Sequence, residues 1–303
     1  MTFYEKLQAG WEDGRFLCVG LDPDPALFPE HLLWKGHVQP ERVEEFCRKI
    51  VDATGNVALA FKPNTAFFER MGEAGHKVLL RLCRIIRRDH PQVVLILDAN
   101  RANIGKSGEG DAAFAFDQAD ADAVTVSPYL GRDACEPFLS RTDRGTILLC
   151  RTSNPWAGEF QNRLVIVNEN EREFAREFGD ISLDFQNGRG CRAVRLYRLI
   201  AYTVARAWNN NRNCGLVVAA TYPNDLAVVR QIVGNGFPLL IPGIGRQGGE
   251  IEATVRAGRD RQGQGMIINA SSGIIHASRG ENYAEVAYDK AMELHKAIRA
   301  LLR

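Results

Sequence analysis

The chain contains eight short apolar runs, and each ends in or next to a glycine, proline, asparagine, aspartate or serine. Val, Ile, Leu, Phe and Ala dominate these runs, and polar residues do not alternate with them. Continuous apolar runs of this length are typical of strands buried on both faces of a parallel sheet. The runs are residues 16–23, 56–64, 93–100, 123–129, 146–153, 215–221, 238–244 and 266–271.

Amphipathic segments separate the runs, for example residues 40–54, 74–90 and 222–235. Each is long enough to form a helix that connects one parallel strand to the next. Eight such repeats in 303 residues predict a single-domain (β/α)8 barrel, the TIM-barrel fold. A doubly wound open sheet is the alternative.

One connection is much longer than the others. It covers about residues 154–192, follows the fifth predicted strand and is mainly polar. Long connections without secondary structure are uncommon in compact domains, and many of them are lids over functional sites. We therefore predict an extended loop or lid insertion here, with a surface insertion of no function as the alternative.

Composition narrows the range of partners. A net charge of +1 and a pI near 7.6 provide no attraction for nucleic acid. The chain has no apolar run of 18 residues and no signal-like start, so we expect a cytoplasmic protein that does not contact membranes. The seven cysteines form no C-x-x-C pair and the six histidines lack metal-ligand spacing, so we expect no metal.

A barrel of this kind places its functional site at the carboxyl ends of the strands. The candidate residues are therefore the polar ones that close the eight runs or follow them. They are Asp22, Lys62, Asn64, Asp98, Asn100, Ser127, Ser153, Asn154, Thr221, Arg246, Gln247 and Ser272.

Two glycine motifs imitate nucleotide-binding loops. IGKS at 104–107 resembles the end of a P-loop, but Asn100 occupies the position of the required first glycine. GIGRQG at 243–248 fits G-x-G-x-x-G, yet no acidic residue follows at the expected distance, which argues against a dinucleotide fold. The second motif still predicts a turn with exposed backbone N–H groups after the seventh strand, where such barrels commonly bind phosphate.

Eight sequence blocks carry a family resemblance over nearly the whole chain. They are CVGLDPDP, FKPNTAFFE, LILDANRANIG, ADAVTVSPYLG, LLCRTSNP, WNNNRNCGLVVAATYP, PLLIPGIGRQGG and IINASSGI, in this order. The chain resembles the longer bacterial subfamily of the orotidine 5'-phosphate decarboxylase family. The resemblance implies a homodimeric barrel that binds a pyrimidine nucleotide and removes its C6 carboxylate as CO2 without a cofactor. A lysine in that family protonates the resulting vinyl carbanion.

The resemblance also implies roles for individual residues. Asp22 and Lys62 would hold ribose hydroxyls, Asp98 would be the first acid of a charge network, and Ser153 would face the pyrimidine. An ordinary ion pair at the end of the barrel is the alternative for the charged residues. The phosphate would lie in the turn from Gly243 to Gly249, with Gly243, Gly245, Arg246, Gln247 and Gly248 as its predicted contacts.

The decisive departure from the family follows the third strand. The family signature is D-A-K-R-G-D-I, and this chain has D-A-N-R-A-N-I. Asn100 replaces the proton-donating lysine, and Asn103 replaces an aspartate that reaches the neighbouring subunit's site. An amide has neither an acidic proton at neutral pH nor a positive charge. With Lys62 and Asp98 as the other predicted catalytic residues, we expect decarboxylation to be lost or greatly weakened.

Further departures lie at the same strand ends. Ser127 replaces an asparagine, Ala219 and Trp156 each replace a glycine, and Ser272 replaces the arginine that grips phosphate. Arg246 stands where the family has a small residue, and we predict that it takes over phosphate binding. The predicted substrate-binding residues are Asp22, Ser127, Ser153, Asn154, Thr221, Gly243, Gly245, Arg246, Gln247, Gly248 and Ser272.

We therefore predict a divergent family member that binds a pyrimidine nucleotide or a related phosphorylated ligand. One alternative is a different reaction on a nucleotide or sugar phosphate, with Asp98 and Lys62 as an acid–base pair. Another is a genuine orotidine 5'-phosphate decarboxylase. A non-catalytic binding or scaffold protein is the third, although a scaffold has no need of charged groups in one cleft.

Overall fold

Eight parallel strands form a closed barrel in the computed structural model, which describes residues 1–34, 37–183, 191–244 and 250–302. Each strand pairs with its neighbours in chain order, and the last pairs with the first. The closed ring confirms the predicted (β/α)8 barrel and excludes the open-sheet alternative. The strands are β1 (Leu17–Leu21), β2 (Ala58–Pro63), β3 (Val94–Arg101), β4 (Ala123–Val126), β5 (Gly145–Arg151), β6 (Cys214–Val218), β7 (Leu239–Pro242) and β8 (Met266–Ala270).

Helices connect the strands and form the outer layer. The helix Pro40–Thr54 shows why: its buried residues Val43, Cys47, Ile50 and Val51 recur at three- and four-residue spacing and form one apolar face. The α-helices are Phe3–Glu12, Pro40–Thr54, Thr65–Glu69, Gly72–Asp89, Gly105–Ala113, Arg132–Leu139, Gly158–Gln161, Arg172–Phe178, Leu196–Thr203, Pro223–Val233, Ile251–Gly258, Ser272–Ile275 and Tyr283–Ala300. Single π-helical turns follow two of them, at Phe114–Gln118 and Val204–Trp208.

The first helix, Phe3–Glu12, packs at the amino-terminal ends of the strands. The indole Nε1 of Trp11 donates a hydrogen bond to the carbonyl oxygen of Met266 (2.8 Å), at the start of β8. The ammonium of Lys6 contacts the carboxylate of Asp122 (3.0 Å), immediately before β4. These contacts fix the helix at one end of the barrel, so that the opposite end remains as the mouth.

The long connection after β5 is not an irregular loop in the part that the structure describes. Three short strands, Leu164–Ile166, Ile181–Leu183 and Cys191–Arg195, form an antiparallel sheet with Cys191–Arg195 in the middle. We call residues 154–195, as far as they are described, the accessory segment. Its strands are too short for periodicity to reveal them, and the central strand pairs with Leu164–Ile166 over a separation of about thirty residues. Its role as a lid stays a prediction.

Two features are absent from the four described ranges, a membrane-spanning helix and a cluster of metal-ligating side chains. No helix there combines the length and apolar character needed to cross a membrane. No group of three or more histidine, cysteine, aspartate or glutamate side chains there has a metal-binding arrangement. Six cysteines in those ranges are buried and form no disulfide.

Candidate functional site

A cavity of about 330 Å³ opens at the carboxyl ends of the barrel strands. Charged and amide side chains from β1, β2, β3 and β8 converge on it, so it suits a small polar ligand. Its described lining residues are Asp22, Asp24, Leu27, Lys62, Asn64, Phe67, Asp98, Ser153, Pro242, Gly243, Ile244, Asn269, Ala270, Ser271, Ser272, Gly273 and His276.

An irregularity in β3 places Asp98 in this cavity. Leu97 pairs with Val124 of β4, but the next paired residue of β3 is Arg101, which lies opposite Val126. Three residues of β3 therefore face one residue of β4, and the strand bends as it does at a β-bulge. Within this bend the backbone of Asp98 forms an isolated parallel β-bridge with Asn64, which follows β2. Asn100 adopts a positive φ of 50°. Asparagine tolerates this conformation better than most residues.

The hydroxyl of Thr125 holds the bend together. Its Oγ1 accepts hydrogen bonds from the backbone N–H groups of Ala99 and Asn100, both at 3.0 Å. The same hydroxyl donates to the carboxylate of Asp98 at 2.9 Å. Thr125 lies on β4 opposite the bend and is 1% exposed, so water does not compete for these bonds. One side chain thus fixes both the bent backbone and the orientation of the acid.

Lys62 and Asp98 form a buried ion pair at the centre of the mouth, with 2.5 Å between Nζ and Oδ2. Burial opposes the charge on Lys62, but the carboxylates of Asp98 and Asp22 outweigh it and hold the pKa of Lys62 above its ordinary value. Burial likewise opposes ionisation of Asp98, but Lys62, Thr125 and Asn100 hold its pKa below the usual range. Both groups are charged at neutral pH. A proton-transfer pair needs pKa values near the working pH, so the raised pKa of Lys62 disfavours this residue as a general base.

Asn100 lies in the bend beside Asp98, and Asn103 follows the end of β3. Asn100 is exposed at the mouth, and its Nδ2 donates to Asp98 Oδ1 at 3.2 Å. Asn103 is also exposed, and its Nδ2 donates to Asp111 at 2.8 Å. The nearby cations are paired elsewhere, because Arg101 contacts Glu69 and Lys106 contacts Glu109. Position 100 therefore contributes a hydrogen-bond donor to the site but no ammonium group.

Two acceptors in the cavity have no hydrogen-bond partner among the described residues. They are Oδ1 of Asp22, after β1, and Oδ1 of Asn269, on β8. Buried polar atoms in folded proteins are nearly always hydrogen-bonded, so these two acceptors are available to a ligand in the cavity. A ligand with hydroxyl or N–H donors would satisfy both atoms.

The predicted phosphate side is described only in part. Gly243 lines the cavity with a φ of 103°, a conformation that glycine adopts without strain, and Ser272 lines it from the loop after β8. Gly245, Arg246, Gln247 and Gly248 lie outside the described residues. The idea that Arg246 binds phosphate in place of the arginine that is absent at position 272 therefore stays a prediction.

The structure brings together a subset of the predicted residues. Asp22, Lys62, Asp98, Ser153, Gly243 and Ser272 all line the cavity. Ser127, Asn154 and Thr221 lie at neighbouring strand ends, outside the described lining.

Sequence reasoning missed four polar lining residues, Asp24, Asn269, Ser271 and His276. Asn269 lies inside the apolar run of β8, where its polar character in a buried strand was the available signal. His276 lies beyond the strand end, and no sequence signal indicated that it returns to the mouth.

A closed barrel with a charged cavity at the carboxyl ends of its strands is the arrangement of TIM-barrel enzymes that act on small molecules. The profile of the "Orotidine 5'-phosphate decarboxylase / HUMPS family" matches residues 15–287 of the chain. The chain belongs to this family.

Curated relatives and solved structures extend over the full length. The chain is 44% identical over 299 residues to orotidine 5'-phosphate decarboxylase of Janthinobacterium sp. (strain Marseille), covering 98% of each chain. It is 44% identical over 305 residues to the protein of the same name from Bordetella pertussis, covering 99% of each. The structure of Leishmania donovani OMP decarboxylase matches with a TM-score of 0.76 and 30% identity, over 99% of both chains.

Proposed function

We propose that this protein binds orotidine 5'-phosphate or a closely related pyrimidine nucleotide in the barrel mouth and decarboxylates it far more slowly than a complete family site would. The observation that carries the proposal is the composition of the cavity. It retains the charged groups Asp22, Lys62 and Asp98, while position 100 offers only an amide. Orphan acceptors at Asp22 and Asn269 suit the hydroxyl and N–H donors of a nucleotide.

The loss of a lysine at position 100 affects the chemical step more than binding. General-acid catalysis contributes roughly 10²- to 10⁴-fold to a rate, and an amide cannot supply it. Lys62 is a poor substitute, because its ammonium is held by Asp98 and its pKa lies above the ordinary value. A raised pKa makes the proton harder to release to a carbanion.

A second candidate is an orotidine 5'-phosphate decarboxylase of ordinary activity. It is favoured by the relatives at 44% identity, which carry that name. In this case Lys62, which lines the cavity in its charged form, would have to act as the proton donor.

UMP formation from orotidine 5'-phosphate distinguishes the two candidates. We expect negligible turnover by the unaltered chain and at least about a hundredfold increase in the double variant Asn100→Lys, Asn103→Asp, which restores the donor and its partner charge. Lysine at the positive φ of residue 100 costs roughly 1 kcal/mol, so circular dichroism should first establish that the variant folds. Robust turnover by the unaltered chain would refute the proposal.

A control separates the restored proton donor from a general effect of charge. Asn210 is exposed before β6, at the opposite end of the barrel, so Asn210→Lys adds the charge of the lysine, without that of the aspartate, away from the mouth. This variant should leave turnover unchanged. A thermal-shift titration with UMP tests binding apart from chemistry, since a ligand at 100 times its dissociation constant adds about 2.7 kcal/mol of stability.

We also propose a homodimer with the mouths near the interface, so that Asn103 lies close to the partner's site. Large apolar side chains in the loops after β3 and β4 support this assembly. Ile104 is 64% exposed, Tyr129 is 81% exposed and Leu130 is 49% exposed. Exposed apolar side chains that cluster on one face indicate an interaction surface. Light scattering at micromolar concentration should give a dimer, and a monomeric mass would contradict the proposal.

A further inference from the structure

Arg151 is a buried cation at the end of β5 that lies outside the cavity. Its side chain is 3% exposed, and its Nε contacts the carboxylate of Asp225 at 2.8 Å. Asp225 lies in the first turn of the helix that follows β6. The guanidinium plane also stacks on the ring of Tyr222, with 3.6 Å between Cζ and the ring centroid. Arg151 thus joins the ends of β5 and β6 at the mouth.

The same guanidinium reaches the accessory segment. One terminal nitrogen of Arg151 donates to Oε1 of Gln161 at 3.3 Å. Gln161 then binds the residue after β5 twice, because its Oε1 accepts from the N–H of Thr152 at 3.0 Å and its Nε2 donates to the hydroxyl of Thr152 at 2.8 Å. The hydroxyl of Thr152 donates in turn to Oδ1 of Asn154 at 2.7 Å. These bonds enclose Ser153, whose side chain lines the cavity.

A second connection runs through the acidic partner of Arg151. The hydroxyl of Tyr197, on the helix that follows the accessory segment, donates to Oδ1 of Asp225 at 3.0 Å. Arg198 contacts Tyr197 and also pairs with Asp180 inside the segment at 3.2 Å. Asp225 is therefore held by Arg151 from one side and by Tyr197 from the other. Both ends of the accessory segment are fixed at the same point of the barrel.

We infer that Arg151 is a positioning residue, which anchors the accessory segment to the β5–β6 side of the mouth and thereby holds Ser153 in place against a bound nucleotide. The ligand-binding part of this inference rests on the proposed function. Lysine cannot replace the arginine, because only the planar fork can pair with Asp225, reach Gln161 and stack on Tyr222 together.

Two variants of Arg151 and one control test the inference. Arg151→Met removes the charge and the fork, and Arg151→Lys keeps the charge alone. Arg230→Lys is the matched control, because Arg230 is also buried (7% exposed) and donates to the carbonyl oxygens of Gly234, Phe237, Gly258 and Gly265. These carbonyls lie at the opposite end of the barrel, so the control destabilises the fold without touching the mouth.

Hydrogen exchange reports on the anchor without any ligand. We expect Arg151→Met to accelerate exchange about tenfold at Thr152 and across Gly158–Gln161, relative to the helix Gly72–Asp89 of the same protein. Arg151→Lys should give a smaller increase, and Arg230→Lys should not single out this region. Unchanged relative exchange at Thr152 in Arg151→Met would overturn the inference.

The dissociation constant for UMP, measured well below the unfolding temperature, reports on Ser153. Arg151→Met should weaken binding about tenfold, because Ser153 is no longer held against the ligand, while Arg230→Lys should leave it unchanged. Equal weakening in both variants, or none in Arg151→Met, would refute the role of Arg151 in ligand positioning. If the unaltered chain binds neither UMP nor orotidine 5'-phosphate, the proposed function fails, and the exchange result alone decides whether Arg151 is the anchor.

Discussion

Replacing Thr125 with valine tests the bend that forms the site. Valine has nearly the same shape as threonine, so the change removes the hydroxyl without opening a cavity. In the folded protein this leaves the N–H groups of Ala99 and Asn100 without their acceptor and the Asp98 carboxylate without a donor. Thr125→Val should therefore destabilise the protein and loosen Asp98.

The size of the effect follows from those three hydrogen bonds. A neutral bond contributes about 1 kcal/mol and a bond to a carboxylate about 1.5 to 3 kcal/mol. Ala99 and Asn100 are only partly buried or exposed, so water recovers part of the loss at their N–H groups. The bonds also share one hydroxyl, so their contributions do not simply add. We expect the free energy of unfolding to fall by about 2 to 4 kcal/mol.

Thr146 provides a matched control on the adjacent strand β5. It is 0% exposed, and its hydroxyl has no hydrogen-bond partner among the described residues. Thr146→Val removes a buried hydroxyl that makes no such bond, which should be neutral or stabilising. Urea unfolding measures both variants, with the slope m as a check that the unfolded state is unchanged. Unfolding free energies of the two variants within about 0.5 kcal/mol of each other would refute the role assigned to Thr125.

Two further predictions concern charge. The pKa of Asp98 lies below its ordinary value, so the ionised carboxylate contributes fully to stability above about pH 4, and this contribution is lost as the pH falls through the folded-state pKa. The free energy of unfolding of Asp98→Asn, measured in urea, should therefore fall less steeply in acid than that of the unaltered chain. Parallel pH curves for the two proteins would contradict this. The sequence also predicts that Arg246→Ala weakens a phosphorylated ligand about tenfold and spares its dephosphorylated analogue in calorimetry, whereas equal weakening of both would mean that Arg246 supports the loop.

The sequence by itself determined the barrel and the end at which its site lies. Strands buried on both faces need continuous apolar runs, and that requirement holds for each strand separately, so the pattern is visible without any tertiary contact. The polar residues that close the runs follow from the same pattern. The pattern therefore predicts Asp22, Lys62, Asp98 and Ser153 at the mouth, and the structure places all four in the cavity lining.

Only the tertiary structure decided how those side chains are oriented. The strand pattern would continue β3 regularly through Asn100, but the register shift against β4 turns Asp98 towards Lys62 and allows Thr125 to hold it. Nothing local marks Thr125 for this role, because it is one residue in a buried strand.

The accessory sheet and the Arg151 contacts likewise depend on the tertiary structure. They join residues that are far apart in the chain, such as Arg151 and Asp225. Periodicity reports which face of an element is buried, whereas hydrogen bonds and ion pairs depend on which atoms the closed barrel brings within about 3 Å of one another.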